Sequence, residues 1–412
     1  MTHAHAVVFL ATMWIASVPQ GLADPFGALL TDHGARPAPK IAPPRLHETY
    51  VDPVFGVTVR RITDPSQVPG LSRIRHYYSK SNPFNADETR AVFFGSDGSS
   101  WLYDTRTWMP IKSLHLRSSD PEIQWHPTDP NLFYHMEFVS GSPNVRAVQR
   151  YDIRNHSTRV LRDFREYDSA RGKLEGNMDK QGRYYALVGK RGGKYEAFVY
   201  DVLNDRVSRK LSVSERQVGD WISVSPSGKY VVMMGSDRSR VYDIEMNWLR
   251  DLPMGSFGHA DLCLTAEGRD VMVYDGADHQ LDENRNINIA DLATGKTSIL
   301  ARIGWGTTPH VSCRNLDLPG WALISTQGPD TKYPNHDFEI FWVKLDDSRE
   351  VRRVAHHHSS RKAGGYFAEG HAVTNRNGTK IIFASNWEGR EPISDYLIEL
   401  PGVERRLSEA RR

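Results

Sequence analysis

One strand-rich unit can be read seven times between Arg75 and Leu400, and this repetition constrains the chain more than any other feature. Each copy runs from a polar residue into a short strand, a turn containing Gly or Asp, an apolar strand, a polar loop, and a strand closing on Tyr-Asp or Leu-Asp. The fourth copy is the clearest: Asp220, then Trp221-Ile222-Ser223-Val224, the turn Ser225-Pro226-Ser227-Gly228, the strand Tyr230 to Met234, and Val241-Tyr242-Asp243. Pro and Gly set the turn, and β-branched residues suit the strands beside it. The same order returns in Asn82 to Asp104, Ile123 to Asp152, Glu175 to Asp201, His259 to Asp291, His310 to Asp346 and His371 to Leu400. Outer-strand segments such as Val351-Arg352-Arg353-Val354 follow several copies and bring each unit to four strands.

A four-stranded unit that is apolar on both faces cannot hide them alone, whereas a ring of such units buries every face and leaves only short edges. The pattern therefore predicts an all-β fold, a seven-bladed β-propeller of four-stranded antiparallel blades around a central channel. A two-sheet sandwich is the alternative, and it does not account for seven copies with the same internal order. The ring must be fastened: Thr58 to Ile62 resembles an outer strand that completes the last blade from the N-terminal side, and Arg405 to Leu407 competes for that role.

Bulk properties narrow the partners. With 39% hydrophobic and 25% charged residues, the chain has the apolar content of a folded core. Its net charge of +2 comes from 52 basic and 50 acidic residues spread throughout, so no basic stripe for nucleic-acid phosphates stands out. The apolar run Ala6 to Val18, followed by Pro19 and the small residues Gly21 to Ala23, reads as a signal peptide cleaved after Ala23. An N-terminal helix or anchor is the other reading, but the run is short against a bilayer core of about 30 Å. The expected organisation is a signal peptide over 1–23, a Pro-rich linker or surface strap over 24–49 and the propeller over 50–412, in a secreted or periplasmic protein without a membrane span. Cys263 and Cys313 are the two cysteines. They occupy similar places in neighbouring units and are expected as free, buried thiols, with a single bridge as the alternative. The sequence does not specify an oligomeric state.

In a propeller the first strand of each blade lines the channel, so residues just before it converge from all blades on one mouth. Those positions hold Arg75-His76-Tyr77-Tyr78, then Gln124 and His126, Glu175, Asp220, Gly258-His259-Ala260-Asp261, Pro309-His310 and Glu369-Gly370-His371. His259, His310 and His371 stand at one point of three consecutive copies and together suit a divalent metal such as manganese, zinc or calcium. The competing reading gives each imidazole only a hydrogen bond to a neighbouring blade. Arg73, Arg75, Arg183 and Arg314 are placed to grip a carboxylate, and Tyr77, Tyr78, Trp125, Trp221 and Tyr366 offer flat apolar faces to a sugar, although strand aromatics commonly serve packing. The run His356-His357-His358 reads as a solvated loop away from the axis.

These units resemble the seven-bladed propellers of the oligogalacturonate lyase kind and the related TolB-like, WD40-like repeats. The likeness is carried by Gly258-His259-Ala260-Asp261 followed by Glu267-Gly268-Arg269, and by Gly370-His371-Ala372 followed by Arg376-Asn377-Gly378-Thr379. It implies a metal set of His259, His310 and His371. It also implies His76 as base and Tyr78 as acid, with Arg75 or Arg314 on the substrate carboxylate. Arg73, Tyr77, His126, Glu175, Asp220, Trp221, Tyr366 and Glu369 are then substrate-binding residues. The lyases carry two ligating histidines separated by one residue on a late blade, and no second histidine has that spacing from His371. The implied activity is β-elimination on an anionic, uronic-acid-containing oligo- or polysaccharide. Two other readings stand beside it: a non-catalytic propeller that binds protein or glycan, and a glycoside hydrolase using carboxylates among Glu175, Asp220 and Glu369.

Overall fold

The structure is a computed structural model that describes residues 26–400 apart from 119, 139–143, 174, 253–257, 279–281, 305 and 330–334. The signal-peptide segment and Arg405 to Leu407 lie outside the described residues. Strands dominate, and they form seven small antiparallel sheets, the expected seven-bladed propeller. The inner strands, in blade order, are Ile74–Arg75, Gln124–Trp125, Ser169–Arg171, Trp221–Val224, Ala260–Leu264, His310–Ser312 and Val373–Thr374.

Apolar alternation explains how the ring closes. Along Tyr230–Met234, Val231 and Met233 pack with blade 3, while Val232 and Met234 pack with blade 5. Seven hydrophobic clusters result, each shared by two adjacent blades, and one of them joins blade 7 to blade 1 through Ile382, Leu397, Ala91 and Phe93. The recurrent Asp at the end of the third strand has a local cause. Its side chain accepts backbone N–H bonds from residues two or three positions on, as Asp104, Asp201 and Asp291 do, which fixes the turn into the outer strand.

Thr58–Arg61 pairs with Ser394–Glu399, so the N-terminal side supplies the outer strand of the last blade, and Thr49–Val51 adds a further strand outside it. Arg61 locks this seam from a buried position, contacting Asp64 at 2.5 Å and Glu391 at 2.8 Å. Upstream, Phe26 is inserted between Trp321 and Trp342, and Leu30 bridges Arg353, so this stretch is strapped along blade 6.

Three local expectations are corrected. Cys263 and Cys313 form a disulfide between the inner-strand segments of blades 5 and 6, with Cα atoms 5.1 Å apart, because adjacent inner strands put like positions face to face. The run His356 to His358 is buried rather than solvated: His356 Nε2 donates to the Arg36 carbonyl of the strap, His357 Nε2 donates to the Thr326 carbonyl, and His358 stacks on Trp387. In blade 3 the inner strand precedes Glu175, which follows it in a loop.

Candidate active site at one mouth of the channel

The inner strands run the same way, so residues at their starts gather at one mouth, where they are joined by the loops that leave the sheet after Arg75 and after Arg171. His259 immediately precedes one inner strand, His310 begins the next, and His371 lies two residues before the last. Their rings form a row, with centroids 4.3 Å apart for His259 and His310 and 4.1 Å apart for His310 and His371. Glu369 enters the same row. Its Oε2 lies 2.6 Å from His310 Nε2 and 3.8 Å from His371 Nε2, and its Oε1 lies 3.0 Å from Arg361.

The donor chemistry of this row suits a cation. His310, Glu369 and His371 each offer one ligand atom, and these atoms lie within 4.8 Å of one another. His310 Nδ1, both ring nitrogens of His371 and His259 Nδ1 are buried without a hydrogen-bond partner, a costly arrangement unless something accepts their lone pairs. Burial, and then the charge of Arg75, push the His310 imidazole well below its ordinary range; burial and His310 do the same to His371. Both rings are therefore neutral, the form that ligates a metal. Glu369 is raised by burial. The three ligand atoms fit a borderline divalent ion, and Glu369 and His371 are separated in sequence by a single residue. His259 stands against this group rather than inside it, with its side chain 27% exposed and its pKa pushed down to about 3 by burial and by His310.

The rest of the mouth is built by blades 1, 3, 4 and the segment before blade 7. Between Arg75 and Pro83 the first blade's edge leaves the sheet, and this loop carries Tyr78 and Lys80 inward. The Tyr78 ring lies 5.5 Å from His310 and 5.1 Å from His371, and Tyr366 lies 4.8 Å from His371. Tyr78 and Tyr366 interact through their hydroxyls, and burial holds both phenols protonated, Tyr366 being pushed up to about 12. Lys80 is 2.5 Å from Glu175 and 4.5 Å from the Trp221 ring. Asp220 is raised by the low-polarity wall and by Glu175.

Other expected site residues lie elsewhere or are occupied. His76 is fully buried, Nδ1 facing Asp395 at 2.9 Å and Nε2 facing the His371 carbonyl at 2.7 Å, so it holds the segment carrying His371. Arg75 donates to the carbonyls of His76 and Phe367, and Arg73 lies over the Phe367 ring at 3.8 Å. Tyr77 bonds Asp120. Arg183 pairs with Asp201. Arg314 grips Asp261 across blades 5 and 6, its Nη2 2.7 Å from Oδ1. With His126, Arg314 lines a separate cavity that also includes Trp125, Lys180 and Arg376; both residues follow the ends of their inner strands. Sequence reasoning missed Lys80 and Arg361. Lys80 follows Tyr78 closely enough for the inward loop to have suggested it, whereas nothing in the short helix Arg361–Gly364 marks Arg361.

Ring, seam and mouth together define a seven-bladed β-propeller with a histidine-rich site at one end of its channel. The fold is that of oligogalacturonate lyase. An oligogalacturonate lyase from Vibrio parahaemolyticus superposes with a TM-score of 0.59 at 14% identity, over 85% of this chain and 96% of that one. An oligogalacturonate lyase solved in complex with manganese superposes with a TM-score of 0.60 at 16% identity, over 87% and 97%. No protein-family model and no curated protein sequence matches the chain. Among the described residues, no helix is long and apolar enough to cross a membrane.

Proposed function

We propose that this chain is an exported enzyme of the polysaccharide-lyase type that cleaves uronic-acid-containing glycans by β-elimination. The observation that carries this reading is the row of His310, Glu369 and His371, with unpartnered imidazole nitrogens, beside the partly exposed ring of His259. A divalent cation, with manganese the first choice because a lyase of this fold is complexed with it, would be held by those three residues and would draw charge from the uronate carboxylate.

The chain's own groups suit the remaining steps. His259, neutral and accessible, takes the C5 proton. The C4–O4 bond then breaks as the C4–C5 double bond forms, and Tyr366, a protonated phenol that is 44% exposed, gives its proton to the departing O4 with Tyr78 hydrogen-bonded behind it. Arg361 and Lys80 supply positive charge for the carboxylate, and Glu175 and Asp220 accept from sugar hydroxyls. His76 and Arg75 act through their hold on the backbone around His371 and Phe367. The disulfide and the N-terminal apolar run support an oxidising compartment.

Incubation with a panel of uronate polymers tests the proposal against its competitors. Ultraviolet absorbance from an unsaturated uronate end, lost on chelation, is the expected result. New reducing ends without that absorbance indicate a hydrolase, and tight binding without either product indicates a binding propeller.

A further inference from the structure

We propose that the groove between blades 1 and 2 is a second binding site, built for an acidic sugar. On the face of blade 2 turned to blade 1 stand Phe133, His135 and Glu137, alternating with Tyr134 and Met136, which pack on blade 3. The corresponding position to His135 in the other six blades holds Phe93, Leu187, Met233, Met272, Ile324 and Phe383, all fully buried in cores shared with the preceding blade. Blade 2 alone puts an imidazole there.

His135 is 1% exposed, and neither of its ring nitrogens has a hydrogen-bond partner. Its ring lines a groove of about 320 Å³ together with Glu137, Gln149 and Tyr151 from blade 2 and Lys112 and Arg117 from blade 1. A neutral imidazole presents one donor and one acceptor, the pairing a sugar hydroxyl satisfies on both sides. Tyr151 is fixed by stacking on Phe133 at 4.9 Å and forms a flat wall. The groove carries a carboxylate, Glu137, but both its oxygens already accept backbone N–H bonds, from Arg117 and Phe138, while the Lys112 and Arg117 side chains remain at the rim for a carboxylated ligand. The choice of a uronate rests on the function proposed above; the presence of a site rests on His135 alone.

Calorimetric titration with D-galacturonate, and with galactose as the neutral comparison, tests this. The wild-type chain is expected to show two sites for galacturonate. His135→Leu, which installs the residue type of blade 3, is expected to weaken one of them at least tenfold while leaving polymer cleavage at the wild-type rate. Arg117→Ala, an exposed change that leaves the core untouched, is expected to weaken the same site. The proposal is overturned by a single galacturonate site that both variants retain, by no groove binding in the wild type, or by equal binding of galactose. Failure of the channel reading shows separately, as an absence of unsaturated product whatever the groove binds.

Discussion

His310 Nε2 lies 2.6 Å from Glu369 Oε2, which ties the inner strand of blade 6 to the segment entering blade 7 at the point where their imidazoles converge. On the proposed function, a carboxylate in that place would serve both as a ligand and as the charge that favours a divalent cation. Glu369→Gln keeps the shape and removes the charge. We expect manganese affinity to fall by more than tenfold, since even outer-shell changes cost that much, with an unchanged circular-dichroism spectrum. Metal content after dialysis measures it, and undiminished uptake would remove Glu369 from the site.

The disulfide joins the neighbouring blades 5 and 6, linking positions 50 residues apart. A cross-link of that span is worth about 4 kcal/mol on the chain-entropy account. Cys263→Ser with Cys313→Ser is expected to lower the guanidinium midpoint, and reductant is expected to lower the wild type to the same value. Equal midpoints with and without reductant would mean that the bond adds nothing.

The N-terminal strand fastens the ring through Val59, which is fully buried and paired with Ile398. Val59→Pro removes the ladder N–H turned toward Tyr50 of the outer strand and alters a side chain buried in the core shared with Ile398, at a cost of about 1 to 3 kcal/mol for the carbonyl left without its donor. Urea melts should show the loss. An unchanged midpoint would place closure elsewhere.

The buried histidine run predicts acid sensitivity. Burial lowers His357 to about 4 and His358 to about 3. Unfolded imidazoles take up protons as pH falls below about 6.5, whereas these stay neutral until much lower pH, so the unfolded state binds more protons and stability drops with pH across that window. Each excluded proton is worth about 1 to 2 kcal/mol between pH 6.5 and pH 5. His358→Phe, which preserves the stack on Trp387, should flatten the dependence of the urea midpoint on pH. A slope as steep as that of the wild type would acquit His358.

The ring was legible because each copy repeats its own turn chemistry: the Pro-Gly turn of the fourth unit, the Tyr-Asp ends whose carboxylates cap the next turn, and alternation along strands such as Tyr230–Met234. The row of His259, His310 and His371 was legible for the same reason, since position within a repeat fixes position at the mouth. Roles were not. Glu369 shares its carboxylate with His310 through a contact between blades, and His76 is turned away by Asp395, a partner from the last blade. His356 to His358 look solvated until the strap that covers them is placed, and the cysteine pairing depended on the register between adjacent inner strands.

The central claim, that the mouth row works as one eliminating site, is tested most directly by His259→Ala assayed on polygalacturonate with manganese present. We predict unchanged metal content and a loss of unsaturated product of about 10² to 10⁴-fold, the size of a missing general base. Wild-type product formation by this variant, or no unsaturated product from the wild type on any uronate polymer, would contradict the account.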